Sequence, residues 1–164
     1  MKQLLPVLLV ALALASAAAA QTKPDFSGMW VMDASRSQSA VQNEPVMSMT
    51  LVIKQTETDL SIDVTRDGRQ HTVTYKPGAP NTMSSNTGRA GLLASIWYWD
   101  GQQLVTETLS DVNAMTMRTK AIYALEAGGA ELTVESLIIV EHGYTLRGAQ
   151  NYGSGKDVFK KVAP

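Results

Sequence analysis

Side chains that could carry acid–base or metal chemistry are sparse in this sequence. His71 and His142 are the only histidines and there is no cysteine, so a metal site of converging nitrogen and sulfur ligands has too few residues. His71 lies on the apolar side of a predicted strand, which indicates an inward-facing or rim position, and His142 precedes a glycine turn. No serine stands in the Gly-x-Ser-x-Gly context of a hydrolase nucleophile. The sequence therefore predicts no metal, no cofactor and no enzymatic activity.

Acidic residues and one glycine-rich stretch are the remaining candidates for chemistry. A carboxylate pair could be drawn from Glu107, Asp111, Glu131 and Glu135. Acidic residues on alternating strands usually form the solvated face, and we predict that position for these four. Residues 153–156, Gly-Ser-Gly-Lys, resemble the end of a phosphate-binding loop, but the preceding spaced glycine and the following helix are missing, so we predict a turn there.

Aromatic, methionine and threonine side chains at alternating positions indicate a different chemistry, the binding of an apolar or amphipathic molecule. Such side chains also fill ordinary cores, and a barrel of about eight strands is narrow enough either to be filled or to hold one small ligand. A lining that mixes Thr, Ser and Met with aliphatic residues suits a cavity better than a dry core, because Met adapts to varied surfaces. The predicted ligand-binding residues are His71, Tyr75, Trp97, Trp99, Thr106, Met117 and Tyr123.

The strongest structural signal is the segment 95–109, in which two strand-forming runs flank Asp100 and Gly101. These two residues tolerate the positive φ angles of a tight hairpin turn. If they form a two-residue turn, Trp97 faces Leu104. If Gly101 instead forms a bulge after a type I turn, the faces shift by one residue and every side chain of one strand changes side. Both registers are open at this point.

Alternating apolar and polar residues predict further short strands around this hairpin, and a second Asp-Gly turn stands at Asp67 and Gly68. The strands are predicted at 26–32, 49–54, 60–65, 70–75, 115–125, 131–140, 144–147 and 157–162. This pattern predicts an all-β fold, an antiparallel up-and-down meander that closes into a barrel of about 8–10 strands. The long Gly- and Pro-rich loop at 76–94 interrupts the meander, and we predict that it gates the barrel interior.

The first 20 residues have the composition of a secretory signal peptide. Lys2 supplies the positive start, residues 4–14 form an apolar core, and an Ala-x-Ala site ends at Ala20. We predict export to the periplasm or secretion, with a single domain at 21–164 that contains no membrane span. The alanine-rich leader indicates a bacterial source. Without Lys2, the mature chain has one basic residue fewer than the 14 of the full sequence against 15 acidic residues, and it lacks a basic stripe, which argues against nucleic-acid binding.

A short motif at the first predicted strand resembles that of a known group of barrels. Gly28-Met29-Trp30 is similar to the Gly-x-Trp motif of lipocalins, and residues 49–75 and 97–109 are similar in order and spacing to the meander of fatty-acid-binding proteins. The chain thus resembles the calycin group, and more closely small secreted lipocalin-like proteins of environmental bacteria. The resemblance implies a lipocalin/calycin-like barrel, with Gly28 and Trp30 as its structural motif and a small hydrophobic ligand as its partner.

Departures from these families limit what the resemblance implies. Fatty-acid-binding proteins hold a carboxylate with an Arg-x-Tyr pair on the last strand, where this chain has Val158-Phe159-Lys160, so that ligand chemistry is not carried over. The second lipocalin motif, Thr-Asp-Tyr, is also absent. In lipocalins a basic residue of a late strand covers the motif tryptophan, which implies a cation–π contact of Lys160 or Lys161 with Trp30.

Two functions are open from the sequence. The first is an exported lipocalin-like barrel that binds a small apolar or amphipathic molecule in its interior. The second is a non-catalytic structural or envelope-interaction domain whose barrel is filled by side chains. A cavity above about 300 Å³ favours the first function and a filled interior favours the second. No oligomeric state is predicted.

The signal-peptide prediction is tested by the mass of the exported protein. Because the Ala-x-Ala site ends at Ala20, we expect protein recovered from the periplasm or medium to begin at Gln21. Intact-mass spectrometry measures this directly. A mass that still includes residues 1–20 would contradict the prediction.

Overall fold

The computed structural model describes residues 22–38, 40, 47–83, 91–112, 115–142 and 152–163. The predicted signal peptide at 1–20 and the predicted strand at 144–147 lie outside these residues. The strands are β1 (Gly28–Met32), β2 (Met49–Gln55), β3 (Leu60–Arg66), β4 (Arg69–Pro77), β5 (Gly91–Asp100), β6 (Gln103–Val112), β7 (Met115–Glu126), β8 (Glu131–His142) and β9 (Tyr152–Lys161). Two single-turn 3₁₀ helices span Ala34–Arg36 and Ala127–Gly129. None of the described helices is long and apolar enough to span a membrane.

The nine strands form one closed barrel in sequence order, from β1 to β9 and back to β1. This confirms the predicted all-β barrel and its strand number. Eight of the nine strand pairs are antiparallel, as predicted, whereas β4 and β5 form a short parallel pair in which Lys76 and Pro77 lie opposite Ile96 and Trp97. The barrel is therefore a meander with one crossover. A parallel pair cannot be joined by a tight turn, so β4 and β5 are connected by a crossover.

Two tight turns set the register of the hairpins. Asp67 and Gly68 have φ of 52° and 71°, as a type I′ turn requires, which confirms this predicted hairpin. In the β5–β6 hairpin Asp100 pairs with Gln103, so the turn residues are Gly101 and Gln102 rather than Asp100 and Gly101. Only Gly101 of these two has a positive φ, 57°, as in a type II′ turn. The register therefore moves by two residues from the predicted two-residue turn, and the faces are conserved.

The described part of the predicted gate, residues 78–83, lies on the outside of the barrel, so the gate prediction is wrong for this part. The backbone N–H of Gly78 donates to the carbonyl of Trp97 (2.9 Å), and a Cβ at Gly78 would lie 2.8 Å from the outward-facing Ile96. Met83 is buried, and its carbonyl accepts a hydrogen bond from the outward-facing Arg118 (3.2 Å). The parallel β4–β5 pair is the reason, since β4 and β5 are not joined by a tight turn and residues 78–83 leave β4 along its outer side.

This crossover lies over a polar network that the sequence assigned to solvent. Glu107 is only 3% exposed, which corrects the prediction that it lies on a solvated face. Its carboxylate accepts hydrogen bonds from the Tyr98 hydroxyl (2.7 Å) and from the guanidinium of Arg118 (3.3 Å). Burial, and then the hydrogen bond and charge of Glu107, raise the pKa of Tyr98 well above its usual value. The network satisfies a carboxylate that would otherwise be costly to bury.

The other three acidic candidates do not combine into a carboxylate pair either. Glu131 forms a bidentate ion pair with Arg36, Asp111 accepts a hydrogen bond from Thr116 (2.6 Å), and Glu135 is paired with Lys156. Residues 153–156 belong to β9, so the predicted turn there is wrong. Gly153 is required because a Cβ at that position would collide with the carbonyl of Ala40. The glycine therefore reflects a close approach between chain segments and not a turn.

One end of the barrel is plugged by Trp30. Its side chain is fully buried and its indole N–H donates to the carbonyl of Phe26 (3.0 Å). The ammonium of Lys161 lies 5.1 Å from the indole ring, which decides between the two lysines of the predicted cation–π contact. Gly28 has a φ of +136°, and a Cβ there would lie 2.9 Å from Cε of Lys161. The Gly-x-Trp spacing thus provides both the indole and the room for the lysine that covers it.

Truncation of Trp30 tests the plug. Because its indole is fully buried, we expect Trp30→Ala to lower the free energy of unfolding by roughly 3–5 kcal/mol. Urea unfolding followed by circular dichroism gives this value. The matched control is Met29→Ala on the outer face of the same strand, where 46% exposure predicts a change within about 0.5 kcal/mol. A loss below about 1 kcal/mol for Trp30→Ala would show that the indole is not part of the core.

Candidate functional site

The inward-facing side chains divide into two groups along the barrel axis. Next to the turns at 56–59, 101–102 and 127–130, most of the interior is filled by side chains that are at most 8% exposed, with Trp99 and Leu125 partly buried against them; we call this the plugged half. Toward the β3–β4 turn, inward-facing side chains are partly exposed, and we call this the accessible half. Its partly exposed lining includes Met49, Val64, Val73, Thr108, Ser110, Met117, Ile138 and Val140. Partial exposure of these side chains shows that solvent reaches this end of the barrel, while Met49, Val64 and Val73 still pack against the buried core.

A hydroxyl cluster lies in the plugged half, at its boundary with the accessible half. Thr106 is 3% exposed, and its hydroxyl is hydrogen-bonded to the phenols of both Tyr75 and Tyr123. A threonine hydroxyl has one donor and two acceptor sites, so it can serve both tyrosines. Burial is the main cause that raises the pKa of both phenols, and for Tyr123 the neighbouring Tyr75 adds to it. The next inward positions toward the mouth, Val73 and Thr108, are already partly exposed.

The indole of Trp97 lies beside this cluster and carries an unpaired donor. Trp97 is directly opposite Thr106 in the β5–β6 register and is only 4% exposed. Its Nε1 is buried and has no hydrogen-bond partner. An unsatisfied buried donor typically costs about 1–3 kcal/mol, and buried indole N–H groups usually find a partner. Within the described residues, the indole N–H of Trp97 at the floor of the accessible half therefore has no acceptor.

Asp157 is a second unpaired polar group of the interior, and it is absent from the predicted site. It shares the inward side of β9 with Phe159, and its Oδ1 is buried without a hydrogen-bond partner. Burial raises the pKa of this carboxyl above its usual value, and the charge of Arg66 partly opposes the shift. The alternation of β9 could have identified it, because Asp157 stands two residues before the apolar Phe159.

The structure brings four of the seven predicted site residues together and separates the other three. Tyr75, Trp97, Thr106 and Tyr123 form the boundary described above. Trp99 belongs to the plug: its ring lies 6.1 Å from that of Phe26 and is covered by the ammonium of Lys23 at 5.3 Å. It still contacts Trp97 edge-on, with 6.1 Å between the ring centroids.

The last two predicted residues lie toward the mouth. Met117 is opposite Ser110 in the β6–β7 register and is partly exposed. His71 is exposed and lies opposite Val64 near the β3–β4 turn, in agreement with the predicted rim position. Within the described ranges, no three His, Cys, Asp or Glu side chains are grouped closely enough to hold a metal ion.

A groove of about 500 Å³ runs along the outside of β7, β8 and β9 and is one of several concave surfaces outside the barrel. Its lining includes Lys120, Leu137 and the ion pair between Lys156 and Glu135, both of which are more than half exposed. Exposed ion pairs of this kind remain solvated and contribute little, so this one does not indicate a ligand. The buried, unpaired donor of Trp97 distinguishes the interior from this groove.

Comparison with known proteins identifies the fold and not a family. No family model and no curated protein matches the chain. Among solved structures, the fluorescent protein UnaG covers 84% of this chain and 97% of its own, at 14% identity and a TM-score of 0.53. Human cRBP IV covers 85% and 99% at 17% identity and a TM-score of 0.53. A variant of the fatty acid transporter REP1-NXSQ covers 84% and 98% at 14% identity and a TM-score of 0.51.

These likenesses extend over nearly the whole described barrel. The chain therefore has a calycin-like barrel, as its Gly-x-Trp motif and strand order predicted. Identities of 14–17% support the fold alone, so the ligand of this barrel has to be inferred from its own residues.

The raised pKa of Asp157 gives a pH-dependent prediction for stability. A carboxyl whose pKa is raised in the folded state contributes stability when the pH is below its unfolded-state pKa of 3.8. That contribution is lost as the pH rises through the pKa of the folded state. We therefore expect Asp157→Asn to raise the melting temperature at neutral pH, because a neutral side chain avoids the buried charge. The gain should vanish below pH 3.8.

The control for this prediction is Asp33→Asn. The hydrogen bond from Lys160 and then that from Ser35 lower the pKa of Asp33 to about 2, so its contribution is present above 3.8 and lost as the pH falls toward 2. This variant should melt at a lower temperature at neutral pH. Scanning calorimetry over a pH series measures both. Equal or lower melting of Asp157→Asn at neutral pH would contradict the assignment of Asp157 as a strained interior charge.

Proposed function

We propose that this protein is an exported lipocalin-like barrel that binds a small apolar or amphipathic molecule in its accessible half. The observation that carries the proposal is the buried, unpaired indole N–H of Trp97, a residue that is 4% exposed and lies at the floor of an interior whose mouth is partly exposed. Natural cores seldom keep a buried donor without an acceptor. A bound molecule that carries a hydrogen-bond acceptor would pair with this donor.

The lining supports a ligand that is mainly apolar. Val64, Val73, Ile138 and Val140 offer aliphatic surface, Met49 and Met117 offer adaptable surface, and Thr108 and Ser110 add a few hydroxyls. Small-molecule sites commonly combine an apolar wall with a small number of convergent polar groups. One of the similar structures is named as a fatty acid transporter. From it we propose for this chain only the general property of hydrophobic ligand binding.

We also propose that the protein is not an enzyme and acts after export. The acidic residues that could have formed a catalytic pair are each held by a separate cation or hydroxyl, which leaves them without the shared site that acid–base chemistry requires. Export rests on the leader sequence described above. A non-catalytic structural domain with a filled barrel is the second candidate, and the well-filled plugged half favours it.

Ligand binding is tested by adding long-chain fatty acids, quinones and aromatic lipids to the mature protein. We expect at least one of these classes to quench tryptophan fluorescence saturably, because Trp97 lies at the floor of the site. The same ligand should raise the melting temperature, since a ligand at 100 times its Kd stabilises the folded state by about 2.7 kcal/mol. Absence of both effects across all three classes would favour the structural-domain candidate.

Two neighbouring substitutions on β8 locate the site. Ile138 faces the accessible half opposite Gly153, whereas Leu137 lines the outer groove. We expect Ile138→Trp to weaken binding at least about tenfold by occupying the interior, and Leu137→Trp to leave it unchanged, as measured by titration calorimetry. The reverse result would place the ligand in the groove and overturn the interior site.

A further inference from the structure

We propose that the indole N–H of Trp97 donates a hydrogen bond to a neutral acceptor of the ligand, a carbonyl oxygen, and so anchors it at the floor of the accessible half. The inference rests on the proposed function and deepens it, because it names the polar group that the ligand must carry. It concerns one atom, Nε1 of Trp97, which is buried and unpaired.

The other polar groups around Trp97 show that the unpaired donor is specific to this position. The indole of Trp30 is equally buried, and its N–H donates to a backbone carbonyl at 3.0 Å. The phenols of Tyr75 and Tyr123 both have a hydrogen-bond partner in Thr106. Only the Trp97 donor, among these buried aromatic groups, has none. A missing acceptor beside a cluster that is otherwise satisfied points to an acceptor that arrives with the ligand.

Trp97 borders the accessible half, so a ligand that fills this half reaches its indole, and the side chains around the buried Nε1 move to admit the carbonyl oxygen. In β5, the next inward residue toward the mouth is Ser95, which is partly exposed. Its register partner Thr108 on β6 is partly exposed as well. A molecule inserted from the mouth therefore passes these two residues and ends against Trp97 and Thr106. Its leading end is the part that reaches the unpaired N–H.

The electrostatics of this floor favour a neutral acceptor over a carboxylate. Burial raises the pKa of Tyr75 and Tyr123, and the same desolvation disfavours any other anion placed beside them. The carboxyl of Asp157 also faces the interior and would repel an anionic ligand. The positive charge of Arg66 only partly opposes the effect of burial on the pKa of this carboxyl. A ketone, quinone, ester or amide carbonyl accepts the indole hydrogen bond without the cost of a buried charge.

The experiment compares three naphthalene probes that share one flat apolar body. The first is a propionyl-dimethylaminonaphthalene, a neutral ketone whose emission shifts to the red when its carbonyl accepts a hydrogen bond. The second carries propyl in place of propionyl, and the third carries a carboxylate. We expect the mature protein to bind the ketone about tenfold more tightly than the propyl compound, which corresponds to about 1.4 kcal/mol, and to bind the carboxylate more weakly than the ketone.

Trp97→Phe removes the donor and keeps an aromatic ring. In this variant the tenfold preference for the ketone should disappear, binding of the propyl compound should persist, and the ketone emission should lose its red shift. Tyr152→Phe, which removes a hydroxyl from a 58% exposed side chain, is the matched control and should keep the preference. A preference that survives in Trp97→Phe would overturn the anchor.

A second measurement needs no variant. The indole N–H resonance of Trp97 in the intact protein should move downfield when the ketone binds and should not do so with the propyl compound. If both compounds bind and neither moves this resonance, the anchor is wrong while the interior site stands. If none of the probes binds the intact protein and none of the broader ligand classes raises its melting temperature, the proposed function and the anchor fail together.

Discussion

The contact between Lys161 and the indole of Trp30 is the interaction on which the rest of the barrel depends. It joins the last strand to the first, and Gly28 makes it geometrically allowed because any Cβ there would meet the lysine stem. The β1–β9 pairing that closes the barrel lies in the same place, with Trp30 opposite Lys161 in the register. Closure removes the exposed sheet edges, and the buried indole fills one end. The interior beyond it can then remain accessible without loss of a continuous core.

The single parallel strand pair has a consequence that reaches the outer surface. Residues 78–83 follow the parallel pair on the outside of the barrel, where the carbonyl of Met83 accepts a hydrogen bond from Arg118. Glu107 is buried below this crossover and is satisfied by Tyr98 and Arg118. A charged residue on the outer face of a barrel is normally solvated, so the burial of this carboxylate is a property of the connection and not of the strand that carries it.

Two unpaired polar groups lower the stability of the interior. Trp97 keeps an unpaired donor and Asp157 an unpaired acceptor, and both arrangements cost free energy in the described protein. The plugged half is well placed to offset this cost, because its aromatic and aliphatic side chains are almost completely buried. Binding sites are commonly found where local structure is less stable than it could be.

Strand alternation and turn residues determined the barrel, its strand number, the Asp67 hairpin and the inward side of the predicted site, because period-2 patterns and positive φ angles are local properties. The sequence left two β5–β6 registers open, and the observed one differs by two residues from the turn at Asp100 and Gly101, because a two-residue shift leaves every side chain on the same face and the pattern cannot detect it. The external crossover, the burial of Glu107, the strand at 153–156 and the unpaired Trp97 and Asp157 were decided by the tertiary structure alone. Each depends on which chain segment lies against another, and contacts between residues far apart in the sequence leave no mark on the local pattern.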